Sequence, residues 1–147
     1  MPPEAMFITS LRSSAKKIDK NCFVLKTNDS VSIGVPDLVL VIFGEVFWLE
    51  CKAMTDFFKG PRFPESNTPI LKHPFSGPQI GVMRQISRAG GNVMGVIRVS
   101  SNVAYIVDPM KIPSGGNFTY AQLQERAVMV EKENHLWKIN TWPTSLL

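Results

Sequence analysis

Asp37 and Glu50 stand on either side of an apolar stretch, and Lys52 follows Glu50 after one intervening residue, in Gly34-Val35-Pro36-Asp37 and Glu50-Cys51-Lys52. Two carboxylates offer hard oxygen ligands of the kind Mg²⁺ takes, and that ion also keeps waters and accepts phosphate oxygens. It lowers the pKa of water and offsets charge building on a phosphate. A lysine alongside can orient the attacking water or stabilise the pentacovalent transition state with a compact charge on a flexible stem. Brought together, the three side chains would suit metal-dependent hydrolysis of a phosphodiester, with Mg²⁺ or Mn²⁺ as cofactor.

Strand register decides whether they meet. Leu38-Val39-Leu40-Val41-Ile42-Phe43 and Val46-Phe47-Trp48-Leu49 are β-branched, aromatic and aliphatic runs joined by Gly44-Glu45, a pair that suits a type II′ hairpin turn. That turn predicts Phe43 opposite Val46, Val39 opposite Glu50 and Asp37 opposite Lys52. Residues directly opposed, or two apart along a strand, share a face. Asp37, Glu50 and Lys52 are therefore expected on one side of the hairpin, with Leu38, Leu49 and Cys51 on the other. A slip by one residue would scatter the cluster. The same pattern also fits a plainer reading, in which Asp37 opens a strand after a proline turn and Glu50 and Lys52 are a solvated pair.

Around the hairpin, Phe7, Leu11, Ala15 and Ile18 form a helical stripe, with Arg12, Lys16, Lys17 and Lys20 on the remaining surface, a face read as solvated in preference to DNA-binding. Cys22-Phe23-Val24-Leu25-Lys26-Thr27 reads as a strand. From Thr55 to Phe75 the chain carries Pro61, Pro64, Pro69 and Pro74 with Lys59, Arg62, Lys72 and His73. This stretch fits a flap that grips phosphates or contacts a second subunit, and equally a mobile linker. Ser76 and Gln79 form a capping-box pattern with Pro78 in the first turn and Gly90-Gly91 as a stop, so a second helix is expected over about 77–89. Arg84 and Arg88 make a small basic ridge on it, open to DNA or to solvent. Two further strands follow, Val93–Val99 and Val103–Val107, apolar enough for the centre of a sheet. A helix from Tyr120 to about Lys132 and a strand over His135–Trp142 complete the chain, with Trp137 and Trp142 capping the core or forming a dimer surface. The order of elements implies an α/β fold with a mixed central sheet flanked by helices.

Composition sets looser bounds. The chain has 147 residues, 44% of them hydrophobic, which suits one domain with a real core, and its formal charge of +4 is compatible with a polyanionic partner. The start Met1-Pro2-Pro3-Glu4 lacks the pattern of a signal peptide, and the apolar stretch from Val35 to Met54 is broken by charges, so an intracellular protein without a membrane span is expected. His73 and His135 have no Cys or His at zinc-ligand spacing, Cys22 and Cys51 read as buried thiols, and no GxxxxGK[ST] loop is present.

Together, Gly34-Val35-Pro36-Asp37, Glu50-Cys51-Lys52 and Ser76-Gly77-Pro78-Gln79 opening a helix resemble the PD-(D/E)XK nucleases, and within them the virus-type replication-repair nuclease (VRR-NUC) group and the archaeal-type Holliday-junction resolvases. The likeness covers roughly residues 4–107, with 108–147 as an extension of a single nuclease domain. It implies a restriction-endonuclease-like core, metal ligation by Asp37 and Glu50, a catalytic Lys52, and Gln79 beside the site. A glutamate in the first helix often joins the metal shell in such proteins, and Glu4 is the candidate if that helix starts early. The implied activity is a Mg²⁺- or Mn²⁺-dependent DNA endonuclease leaving 5′-phosphate and 3′-hydroxyl ends, acting as a symmetric homodimer on branched DNA in recombination or repair. Lys26, Lys59, Arg62, Lys72, Arg84 and Arg88 are the candidate DNA contacts. A flap or nicking nuclease, an RNA-directed one, and a non-catalytic DNA-binding module with the same fold are the alternatives.

Overall fold

A computed structural model describes residues 3–27, 33–54 and 67–143. Its frame is a six-stranded sheet in sequential order: β1 (Phe23–Lys26), β2 (Leu38–Ile42), β3 (Glu45–Ala53), β4 (Val93–Arg98), β5 (Val103–Val107) and β6 (Ala127–Glu131). Every neighbouring pair is antiparallel except β3 and β4, which run parallel at the middle of the sheet. A parallel pair needs a crossover, and the chain between these strands includes α2 (Gly77–Arg88).

Alternation along the strands divides the core in two. Leu38, Leu40, Ile42, Phe47, Leu49 and Cys51 face α1 (Pro3–Ile18) and its Phe7, Leu11 and Ala15. Val93, Ile97, Tyr105 and Val107 face Met83 of α2 and Leu123 of α3 (Tyr120–Arg126). Helices therefore cover both faces of a mixed sheet, the α/β arrangement expected. On α2 both halves of the capping box form: Gln79 N donates to Ser76 Oγ at 3.2 Å and Ser76 N to Gln79 Oε1 at 2.9 Å.

Three local expectations are corrected. The hairpin turns at Phe43-Gly44, not Gly44-Glu45, with positive φ at both residues (49° and 80°), the requirement of a type I′ turn. The left-handed Phe43 is held from outside the hairpin, its N–H donating to Asp19 Oδ2 at 2.9 Å. Ile42 then pairs with Glu45, Val39 with Trp48 and Leu38 with Leu49. The pairing moves by two residues from the expected one, and because strand alternation has period two the faces stay as predicted. Second, α3 stops at Arg126, and Ala127–Glu131 leaves it to pair with β5 as an edge strand. Third, His135–Trp142 is not a strand. Asn134 and His135 both have positive φ in a tight turn closed by a Glu133–Leu136 bridge, and a single 3₁₀ turn follows at Ile139–Thr141.

The tryptophans of this last segment belong to the core. Trp137 is fully buried, meets Phe7 edge to face at 5.6 Å, and donates through its backbone N to Ser14 Oγ and through Nε1 to Ser10 Oγ. Trp142 is buried in the same cluster. Part of the proline-rich stretch is also fixed. Ile70, Leu71 and Phe75 are buried, Pro69 bridges to Thr119, and Ile70 N donates to Phe118 O, so the mobile-linker reading does not hold for 67–75.

Candidate functional site

β3 carries two of the three candidate residues. Phe47, Leu49 and Cys51 point to the α1 side, so Trp48, Glu50 and Lys52 point to the α2 side. Continuing the hairpin register by one residue beyond Leu38–Leu49 sets Asp37 beside Glu50. Its carboxylate is tied to that strand: Asp37 Oδ2 accepts from Cys51 N at 3.0 Å, and Asp37 O accepts from Thr27 N. Glu50 is 1% exposed and Lys52 6% exposed. A solvated pair is therefore ruled out. Burying two ionisable side chains on one strand is costly for stability alone, which singles out this face as the candidate site.

Gly34 explains how the proline turn reaches α2. Its φ is +86°, and a Cβ there would stand 2.5 Å from Pro78 O and 3.1 Å from Val82 Cγ2. The turn at Gly34 thus packs directly on the first turn of α2, which carries Gln79. Gln79 Oε1 is engaged in the cap, and the helix N-terminus next to it favours an anion.

α1 begins at Pro3, early enough to place Glu4 in its first turn. Glu4 is half-buried and its pKa is raised, first by burial and then by the charge of Asp37, against the lowering pull of Lys52 and His73. These mutual influences put Glu4 in the electrostatic neighbourhood of the cluster. A carboxyl whose folded pKa is raised binds its proton more tightly in the native state, so the stability it contributes is complete below its ordinary value of 4.5 and is lost as pH rises through the folded value. In EDTA, Glu4→Gln should therefore gain on the wild type in chemical denaturation as pH is raised from 4 to 7. A difference that stays constant across that range would separate Glu4 from the site.

Cys51 lies on the other face with its thiol pushed well up, chiefly by burial and then by Asp37, Glu50 and Glu4, so it is a neutral packing group and not a nucleophile.

Among the expected cationic contacts, Lys72 is exposed on the anchored segment that leads to Phe75, and Arg88 is exposed on α2. Lys26 is exposed, but it pairs with Leu38 and so leaves the sheet on the face opposite Asp37. Arg84 does not form a ridge with Arg88: its guanidinium donates to Pro109 O and Ile112 O and so ties α2 to the loop after β5. Lys59 and Arg62 lie outside the described residues.

One residue at the site escaped the sequence reading. The ring of Phe75 lies beneath the Lys52 ammonium, with Nζ 5.5 Å from its centroid. No spacing rule singles out a phenylalanine just before a helix cap.

Among the described residues no three His, Cys, Asp or Glu side chains are gathered at metal-binding distance. The donor set nevertheless fits a hard divalent ion. Asp37 and Glu50 are adjacent carboxylates, one clamped and one buried, and Mg²⁺ is commonly held by one or two carboxylates while waters and phosphate oxygens complete its shell.

The architecture has a counterpart of known structure. This chain shares its fold with a Holliday junction resolvase. That resolvase, Hjc from the archaeal hyperthermophile Archaeoglobus fulgidus, matches with a TM-score of 0.51 and 12% identity over 84% of this chain and 91% of its own. The α/β core, a mixed sheet flanked by helices, is thus restriction-endonuclease-like in fold. No family model matches the sequence, and no curated protein matches it. Among the described residues no helix is long and apolar enough to cross a membrane.

Proposed function

We propose that this chain is a PD-(D/E)XK-type endonuclease that hydrolyses DNA phosphodiesters with Mg²⁺ or Mn²⁺ and prefers branched DNA such as a four-way junction. One observation carries the reading: a buried glutamate and a buried lysine share one face of a central strand, with an aspartate clamped beside them. The resolvase fold supports it.

Asp37 and Glu50 would hold the ion, with Glu4 a further carboxylate in their electrostatic neighbourhood. When bound, such an ion offsets charge on the phosphate and acidifies water. Lys52 presents an ammonium to the same face, where it orients the attacking water and opposes the negative charge that grows on the phosphoryl oxygens. Gln79 and the N-terminus of α2 receive the neighbouring phosphate, and exposed Lys72 and Arg88 meet the backbone further out. With no sequence-reading element among the described residues, specificity falls to DNA shape and deformability. Two copies in a symmetric dimer would set two sites on opposed strands of a junction.

The test is cleavage of a labelled four-way junction beside linear duplex, flap DNA and RNA, with Mg²⁺, Mn²⁺ or EDTA. Paired, metal-dependent cuts confined to the junction are expected. Equal cutting of all DNA substrates keeps the nuclease and removes the junction preference, and a preference for RNA reassigns the substrate. Binding without cutting under any metal leaves a non-catalytic DNA-binding module.

A further inference from the structure

We propose that Phe75 is a positioning residue for Lys52, a fixed aromatic platform that holds the ammonium at the carboxylate face. The step it serves rests on the nuclease reading above, while the contact itself does not. A lysine has a long stem with many rotamers, and a charge that must meet one phosphate needs something to restrict it. The ring centroid is 5.5 Å from Nζ, within the range at which an aromatic quadrupole attracts a cation.

The ring is seated from two sides. Gly95 pairs with Glu50 across β3 and β4, and a Cβ on it would come within 2.9 Å of Phe75 Cζ. The missing side chain opens a notch immediately beside Glu50, and the ring occupies it. Behind the backbone, Gly116 has φ +75°, and a Cβ there would fall on the carbonyl oxygen of Phe75, while Phe75 N donates to Gly116 O at 2.9 Å. Asn117 ties the start of the same segment. Its Oδ1 accepts from Leu71 N and Phe118 N, and its Nδ2 donates to Leu71 O at 2.9 Å. The stretch from Leu71 to Phe75 is thereby clamped at both ends, and Phe75 is 2% exposed. The Ser114-Gly115-Gly116-Asn117 loop thus supports the floor of the site.

A plain core phenylalanine would fill the same volume, and the two roles are separable. Pentafluorophenylalanine at Phe75 keeps the shape and apolar character of the ring but reverses its quadrupole, and Phe75→Leu removes the ring. Three quantities would be compared with the wild type: single-turnover cleavage with Mg²⁺, DNA affinity with Ca²⁺, and the order parameter of the Lys52 ammonium from ¹⁵N relaxation. For both variants we expect affinity within about twofold, cleavage slower by about three- to thirtyfold, and a lower order parameter at Lys52 with unchanged backbone order along β3. A pentafluorophenylalanine protein that matches the wild type in cleavage and in Lys52 order overturns the proposal. If the wild type cuts no DNA, the nuclease reading fails, and the order parameter alone still decides whether Phe75 holds Lys52.

Discussion

Lys52→Met should bind branched DNA within about twofold of the wild type yet cut it slower by a factor of about 10²–10³, the usual loss when a charge-stabilising donor is removed from the transition state. Methionine has a similar length and packs well against an aromatic ring, so Phe75 and the cluster around Ile97 and Tyr105 keep their contacts. What disappears is the one positive charge on the β3 face that Glu50 shares. Because the loss falls on a charge that grows only during reaction, it should appear in the single-turnover rate and not in affinity. Lys52→Arg should fare little better: a guanidinium can stack on the ring, but its planar fork presents the charge with a geometry different from that of a compact ammonium. Wild-type cutting by Lys52→Met in single-turnover assays would remove Lys52 from the chemistry.

Much of this arrangement was legible in the sequence, and the reasons differ from element to element. Asp37, Glu50 and Lys52 reach the same face because strand alternation depends only on parity, so even a turn misplaced toward Gly44-Glu45 gave the correct sides. The turn itself could not be read locally. Phe43 accepts a left-handed backbone only with Asp19, far earlier in the chain, accepting from its N–H. The helix expected to run from Tyr120 to about Lys132 ends at Arg126 because Ala127–Glu131 pairs with β5, and that pairing overrides the helix preference of Ala, Met and Glu. The capping box of α2 was readable as a local pattern, whereas its contact with Gly34 depends on the tertiary fold. Arg84 illustrates the limit for charges: a basic residue on a helix reads the same whether it faces DNA or bonds to the carbonyls of Pro109 and Ile112. Phe75 was invisible for a similar reason, since its seat is made by two glycines on other elements.

Glu50→Gln should reverse its rank against the wild type when a divalent ion is added. In EDTA the wild type keeps Glu50 at 1% exposure next to Asp37, with Glu4 in their electrostatic neighbourhood, and three carboxylates face a single lysine on β3. Replacing Glu50 by an amide of the same shape removes its repulsion with Asp37 while Asp37 stays to oppose Lys52, so the variant should melt at about the wild-type temperature or higher. With Mg²⁺ or Mn²⁺ the order changes. An ion that binds only the folded state stabilises it by about 2.7 kcal/mol at a hundredfold excess over its dissociation constant. For a chain of this size that raises the midpoint by roughly 5–10 °C. The amide lacks the ligand charge and should gain only a small part of this, and Asp37→Asn should behave alike, because its carboxylate is the one held against Cys51 N. Differential scanning fluorimetry of the three proteins in EDTA and in each metal reads the crossing directly. Parallel shifts in all three would mean that these carboxylates do not hold the ion, whatever cleavage the protein performs.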